Sequence, residues 1–175
     1  MLTQFEFFIL NSIQSIRFEL LDRLMVAITA LGNGGAIWIA MGIAMLFFKK
    51  SRKTGIAVLI GLLLGLILGN LTIKNLVARP RPCSVNTDIS LLIPFPSEYS
   101  FPSGHTLSSF VSAVGIYLWN KKLGSWAIAL ASLIAFSRLY LYVHFPTDIL
   151  GGIVLGTALA HLSSWITKKI ATKRL

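Results

Sequence analysis

Apolar residues in this chain come in long runs separated by short polar, glycine, proline or basic interruptions. Over residues 2–20, Leu2, Phe5, Ile9, Ile13, Ile16 and Leu20 recur at helical spacing, with Gln4, Asn11, Gln14 and Ser15 between them. That pattern predicts an amphipathic helix over 1–22 lying in a membrane interface; a short helix buried against a bundle, or a sixth span, is the alternative. The next run, 24–48, is apolar apart from Gly32-Asn33-Gly34-Gly35. It predicts one spanning helix with a weak point, or a short helix followed by the span, the glycines permitting close helix packing. Residues 55–73 carry Gly61, Gly65 and Gly69 four apart on one face, a small-residue packing stripe. Further spans are predicted over 103–119, 126–139 and 146–165, the last opening with Pro146, a good first-turn residue. Pro94, Pro96 and Pro102 prevent the stretch 83–101 from forming a continuous helix.

Crossing a bilayer takes about 20 apolar residues per helix, so the pattern predicts an all-α, polytopic transmembrane bundle. It has about five spans and the N-terminal helix, in a single domain over 1–175. Composition agrees. Hydrophobic residues make up 55% of the 175 and charged residues 13%, against about 25% charged in a soluble domain. The net charge of +10 would suit nucleic acid, but no basic patch is interleaved with aromatics, and nucleic acid is not an expected partner. Cys83 is the single cysteine, which excludes an intrachain disulfide and a cysteine metal cluster. Glu6 is the first charge, with no basic leader before it, so a cleaved signal peptide is not expected.

Charge then orients the bundle. With five spans, the loops at 49–53 and 120–123 and the C-terminus share one side, and that side holds Lys49, Lys50, Arg52, Lys53, Lys121, Lys122, Lys168, Lys169, Lys173 and Arg174. All six acidic residues fall on the other side. The cation-rich side is expected to be cytoplasmic, leaving the remaining loops extracytoplasmic in a cell membrane.

Three polar clusters sit on that outer side: Lys74 with Arg81-Pro82; Pro102-Ser103-Gly104-His105; and Ser137-Arg138 with His144 and Asp148. Ionisable groups at the edge of a membrane segment are costly and by default functional. Together they suit phosphoryl transfer, in which catalysis is mostly positioning and charge stabilisation. Lys74 offers a point charge, and Arg81 and Arg138 offer planar forks for phosphate oxygens. Ser103 can cap the following helix, leaving the Gly104 and His105 amides to face an anion. His144 and Asp148 are one helical turn apart, so Asp148 can hold one ring nitrogen while the other attacks phosphorus. His105 can protonate the leaving oxygen and then activate water. No metal or cofactor is required, because the cations neutralise the phosphate. Each feature alone has an ordinary explanation: an end-of-helix lysine, a turn, a hydrogen-bonded histidine or half a metal site. Their convergence on one face favours catalysis. His161, toward the other end of the last span, is read as structural.

Lys74-(six residues)-Arg81-Pro82, Pro102-Ser103-Gly104-His105 and Ser137-Arg138-(five residues)-His144-(three residues)-Asp148 resemble the three-part signature of the type 2 phosphatidic acid phosphatase (PAP2) superfamily. The resemblance implies a metal-independent helical membrane phosphatase. It further implies His144 as nucleophile, Asp148 as its partner, His105 as acid/base, and Lys74, Arg81, Ser103, Gly104 and Arg138 as phosphate ligands. An outward site at the membrane surface implies a lipid-linked phosphate. Among small bacterial members of the family, undecaprenyl diphosphate phosphatases fit best, ahead of phosphatidylglycerophosphate, phosphatidate or lipid A phosphatases. A non-catalytic lipid-phosphate carrier using the same cations is the rival from another class.

Overall fold

The computed structural model describes residues 2–172; Lys173 and Arg174 of the basic C-terminal cluster lie outside the described residues. The described regular structure is helical: α1 (Leu2–Gln14), α2 (Glu19–Leu31), α3 (Ala36–Leu46), α4 (Arg52–Leu64), the short α5 (Lys74–Val77) and α6 (Pro82–Val85), then α7 (Gly104–Trp119), α8 (Lys121–Tyr140) and α9 (Pro146–Thr172). α7 lies at the centre, packed on α4, α8 and α9. Its Phe110, Ala113 and Ile116 form a core with Trp38 of α3, Val58 of α4 and Ala131 and Ile134 of α8. The Trp38 indole donates to Ser109 Oγ at 3.0 Å inside this core.

The bundle is polar within and apolar without. Ser109, Ser112, Ser163 and Thr167 are buried, while Phe47, Leu63, Leu71, Trp126 and Val154 project from its flanks. That inversion suits a lipid solvent, where exposed apolar groups cost nothing; of the buried hydroxyls, Ser109 meets Trp38 on a neighbouring helix, while Ser163 and Thr167 bond carbonyls of their own helix. Arg52–Val85, Lys121–Tyr140 and Pro146–Thr172 are each long and apolar enough to cross a membrane, and α2 with α3 makes a fourth such stretch bent by 43°. The central α7 is shorter, at 16 residues.

Three breaks shape the end of the bundle that carries the polar clusters. The amphipathic pattern over 1–22 does not form one helix: α1 stops at Gln14 and α2 restarts at Glu19. Arg17 staples the turn, donating to Gln14 Oε1 at 2.9 Å and to Asp22 at 3.2 Å. Between α2 and α3, Asn33–Gly35 is a 3-10 turn in which Gly34 and Gly35 have φ of 58° and 71°, a left-handed conformation that glycine alone adopts at little cost. The glycine pair thus turns the chain as well as packing it. Finally, α4 widens into a π-helical segment, Gly65–Ile73, before α5. A Cβ on Gly69 would lie 2.1 Å from the Leu107 side chain, so the glycine stripe lets this segment press against α7.

Candidate active site

Lys74, Arg81, Gly104, His105, Arg138 and His144 line one cavity of about 730 Å3. Five separate elements deliver them: α5, the start of α6, the N-terminus of α7, the C-terminal turn of α8, and the connector between α8 and α9. Ser103 and Asp148 are absent from the lining and stand behind it, both fully buried. Ser103 caps α7, its Oγ accepting from the Thr106 amide at 3.4 Å and from Thr106 Oγ1 at 3.0 Å. The Gly104 backbone comes close to α4's extension, since a Cβ there would lie 2.9 Å from Asn70 Oδ1.

The environment of His144 fixes its tautomer. Arg81 Nη1 lies 3.1 Å from His144 Nε2, and because guanidinium only donates, Nε2 accepts and the ring hydrogen sits on Nδ1. Nδ1 faces Ser100 Oγ at 3.4 Å and Asp148 Oδ2 at 3.6 Å. The histidine and carboxylate expected to pair from the four-residue spacing face each other directly but at a long distance, and Ser100 sits beside both, donating to Asp148 Oδ2. Burial, opposed by Asp148 and reinforced by the positive charges of Arg81 and Arg138, pushes the His144 pKa down to about 3. The ring is neutral at physiological pH, with the Nε2 lone pair turned toward the cavity's cations.

The cations are held in different ways. Arg81 donates to the carbonyls of Glu98 at 2.7 Å, Val143 at 2.8 Å and Tyr99 at 3.2 Å. Lys74 Nζ pairs with Glu98 Oε2 at 2.7 Å, and this bond holds the Glu98 carboxyl below the ordinary carboxylate range. Arg138 Nη1 donates to Thr29 Oγ1 at 2.6 Å, while its Nε has no partner among the described residues. His105 Nε2 lies 3.0 Å from Asn33 Oδ1, so the glycine turn after α2 supports the second histidine. His161 sits apart, bonded to the Thr157 carbonyl at 2.9 Å. Among the described residues, no three His, Cys, Asp or Glu side chains are grouped closely enough to hold a metal ion.

Several groups here escaped the sequence reading: Asn33, Ser100, Glu98 and Asn70, with Arg79, which donates to Asp148 Oδ1 at 2.6 Å, and Glu6, which accepts from Arg79. Only two left a signal. Arg79 precedes Arg81 in an Arg-Pro-Arg-Pro run, and Glu98 is an acid within a proline-rich loop.

Comparison with known proteins places this chain in a family. Residues 54–171 match the PAP2 superfamily. The chain is 34% identical over 157 residues to an undecaprenyl-diphosphatase of Sulfolobus acidocaldarius, an alignment covering 89% of this chain and 75% of that protein. Its fold matches the crystal structure of Aquifex aeolicus LpxE with a TM-score of 0.79 at 27% identity, covering 89% of this chain and 92% of the other. It also matches a transmembrane PAP2 type phosphatidylglycerolphosphate phosphatase from Bacillus subtilis, with a TM-score of 0.77 at 29% identity over 96% of this chain and 87% of the other. The chain belongs to the PAP2 superfamily, and it is a helical membrane phosphatase.

Proposed function

We propose that the protein hydrolyses a lipid-linked diphosphate at the extracytoplasmic membrane face through a phosphohistidine on His144, with undecaprenyl diphosphate as the preferred substrate. The observation that carries this reading is the His144 ring itself. Its Nε2 is unprotonated and meets Arg81 at 3.1 Å, in a cavity that also holds Lys74 and Arg138. A phosphate bound to those cations would take over the Arg81 donor and bring phosphorus to Nε2. Attack forms the N–P bond as the bond to the leaving oxygen breaks, and the Nδ1 proton is held by Ser100 and Asp148 as positive charge develops on the ring. His105, carrying a second proton brought in with the phosphate, gives that proton to the leaving oxygen, then takes one from the water that cleaves N–P and frees inorganic phosphate. The cations supply the charge neutralisation, so no step calls for a metal.

Separate features support the lipid substrate, its class and the side of the membrane. Ile39, Leu59, Leu62 and Leu63 line the same cavity as the cations, giving one apolar and one charged end. The similarity to an undecaprenyl-diphosphatase favours a polyprenyl diphosphate over a phosphatidylglycerophosphate. The concentration of Lys and Arg at the loops 49–53 and 120–123 favours an extracytoplasmic site and a cytoplasmic C-terminus. The test is phosphate release from undecaprenyl diphosphate, phosphatidylglycerophosphate and phosphatidate with chelator present, alongside trapping of an acid-labile phosphoenzyme. The expected result is fastest release from the diphosphate and a phosphoenzyme that disappears in His144→Ala. Lipid-phosphate transport that survives His144→Ala, without hydrolysis by the wild type, would establish a carrier instead.

A further inference from the structure

The proposed mechanism leaves one buried carboxylate unused. Glu6, on α1, is 1% exposed, in a helix whose pattern predicts membrane-interface attachment, burial against the bundle or a further span, and no part in the chemistry. It is the end of an ion chain. Arg79 Nη2 donates to Glu6 Oε2 at 2.6 Å, and Arg79 Nη1 donates to Asp148 Oδ1 at 2.6 Å and to Thr147 Oγ1 at 2.7 Å. Glu6 Oε1 accepts from the Thr147 amide at 3.2 Å and from Thr147 Oγ1 at 2.5 Å. The guanidinium plane lies 4.0 Å over the Phe145 ring. Arg79 and Thr147 thus both donate to Glu6, and Arg79 links it to Asp148.

The same face of α1 grips the rest of the connector that carries His144. Gln14 Nε2 donates to the Tyr140 carbonyl at 2.9 Å, Asn11 Oδ1 accepts from the Tyr142 hydroxyl at 2.8 Å, and Phe7 meets Phe145 edge-on at 5.3 Å. Tyr142, two residues before His144, has φ of 60°, a conformation that a bulky residue keeps only when its surroundings enforce it. Burying Glu6 is costly, and a well-packed apolar residue would stabilise a plain anchor helix as well or better. The carboxylate is explained by what lies at the far end of its ion pair.

We propose that α1 is a positioning element of the active site: Glu6, acting through Arg79, orients Asp148 and thereby the nucleophile-bearing connector. Glu6 fixes one side of the guanidinium so that its other side meets Asp148 Oδ1. The Phe145 amide, at 2.8 Å, and Ser100 hold Oδ2. Asp148 is then immobile opposite Nδ1 of His144, and Nε2 keeps its aim into the cavity. The inference rests on His144 acting as the nucleophile.

The test compares the full-length wild type in detergent with Glu6→Gln, Arg79→Lys and Arg79→Met, measuring kcat and KM for lipid diphosphate and the rate of phosphoenzyme formation. Loss of a residue that orients a metal-ligating histidine typically costs about 10- to 100-fold, and the same scale is expected for a residue that orients Asp148. Expected are a fall of about 10-fold in kcat for Glu6→Gln and about 100-fold for Arg79→Met, with KM within about twofold, and partial recovery in Arg79→Lys, which keeps the cation beside Asp148. Slower phosphoenzyme formation should match each fall in kcat. Unchanged kcat in Glu6→Gln, or a loss expressed in KM alone, overturns the inference. If Arg79→Met yields no monodisperse protein, Glu6→Gln and Arg79→Lys decide by the same criteria, since both keep a polar group of similar length. A wild type that releases no phosphate from any lipid phosphate overturns the proposed function and this inference together; an active wild type with unaltered variants overturns only the inference.

Discussion

Glu98→Gln removes a carboxylate from the candidate active site and is expected to tighten substrate binding. Glu98 reaches in from the proline-rich loop to pair with Lys74 Nζ at 2.7 Å, and its side chain is 68% exposed where that of Lys74 is 6%. An anionic substrate that uses Lys74 must break this pair first. Ion pairs with an exposed partner contribute about 0.2–1 kcal/mol after screening and side-chain entropy. Releasing Lys74 from its internal partner should therefore lower KM by about 1.4- to 5-fold, with kcat little changed, because Glu98 touches neither histidine. Glutamine keeps the length of the side chain, and the Arg81 bonds go to the carbonyls of Glu98 and Tyr99, which the substitution preserves. The sign with pH follows from Lys74 holding the Glu98 carboxyl below its ordinary value of 4.5. The pair is fully formed above that value and is lost only as pH falls through the depressed one. The wild-type to variant ratio of KM should thus stay constant from pH 5 to 8, where substrate protonation affects both proteins alike, and shrink in high salt. Phosphate release measured across substrate concentration at low and high ionic strength reads both numbers. A KM that rises in Glu98→Gln would show that the carboxylate assists binding and would refute the reasoning.

Other perturbations separate the parts of the site. A diphosphate has a better leaving group than an alkyl phosphate, so His105→Ala is expected to slow monoester hydrolysis more than diphosphate hydrolysis in the same preparation; equal losses would remove His105 from the acid role. Asn33→Ala deletes the 3.0 Å contact to His105 and, at about 0.5–1.5 kcal/mol for one hydrogen bond, should reduce kcat on a monoester by about 2- to 13-fold with less effect on the diphosphate. Gly35→Ala forces a Cβ onto φ of 71° and is expected to destabilise the turn by about 1–2 kcal/mol, read as a lower melting temperature in detergent.

The helical class was legible because long apolar runs and end-placed cations admit few other structures, and the family was legible because its motif residues keep their spacing. What escaped depended on geometry at breaks. Residues 1–22 read as one amphipathic helix, since nothing local announces that Arg17 would tie Gln14 to Asp22 and end α1 early. The glycines at 32–35 signalled packing and a weak point in the helix, and the chain does break there; that the turn sets Asn33 against His105 requires a contact 72 residues away. Gly61, Gly65 and Gly69 did read as a packing stripe, but the π-helical winding of Gly65–Ile73 leaves no mark in periodicity. Likewise the four-residue step from His144 to Asp148 did bring the two side chains face to face at 3.6 Å, but that Ser100, from a loop without periodicity, would join the pair left no mark in the sequence.

These breaks have a common consequence for how the site treats phosphate. Lys74, Arg81 and Arg138 would repel one another without compensation, and each has an internal partner: a carboxylate for Lys74, main-chain carbonyls for Arg81, and the Thr29 hydroxyl for Arg138. The compensation is graded. Glu98 is exposed and can swing away, the Arg81 contact with His144 can pass to a phosphate oxygen, and Arg138 Nε is buried with no partner among the described residues. A buried donor left unmet costs about 1–3 kcal/mol, which a phosphate oxygen would recover. The helix ends therefore do more than gather cations: they leave Arg138 Nε unmet, Arg81 on His144 and Lys74 on an exposed carboxylate, so that under the proposed mechanism a bound phosphate would free the Nε2 lone pair as it satisfied the arginines.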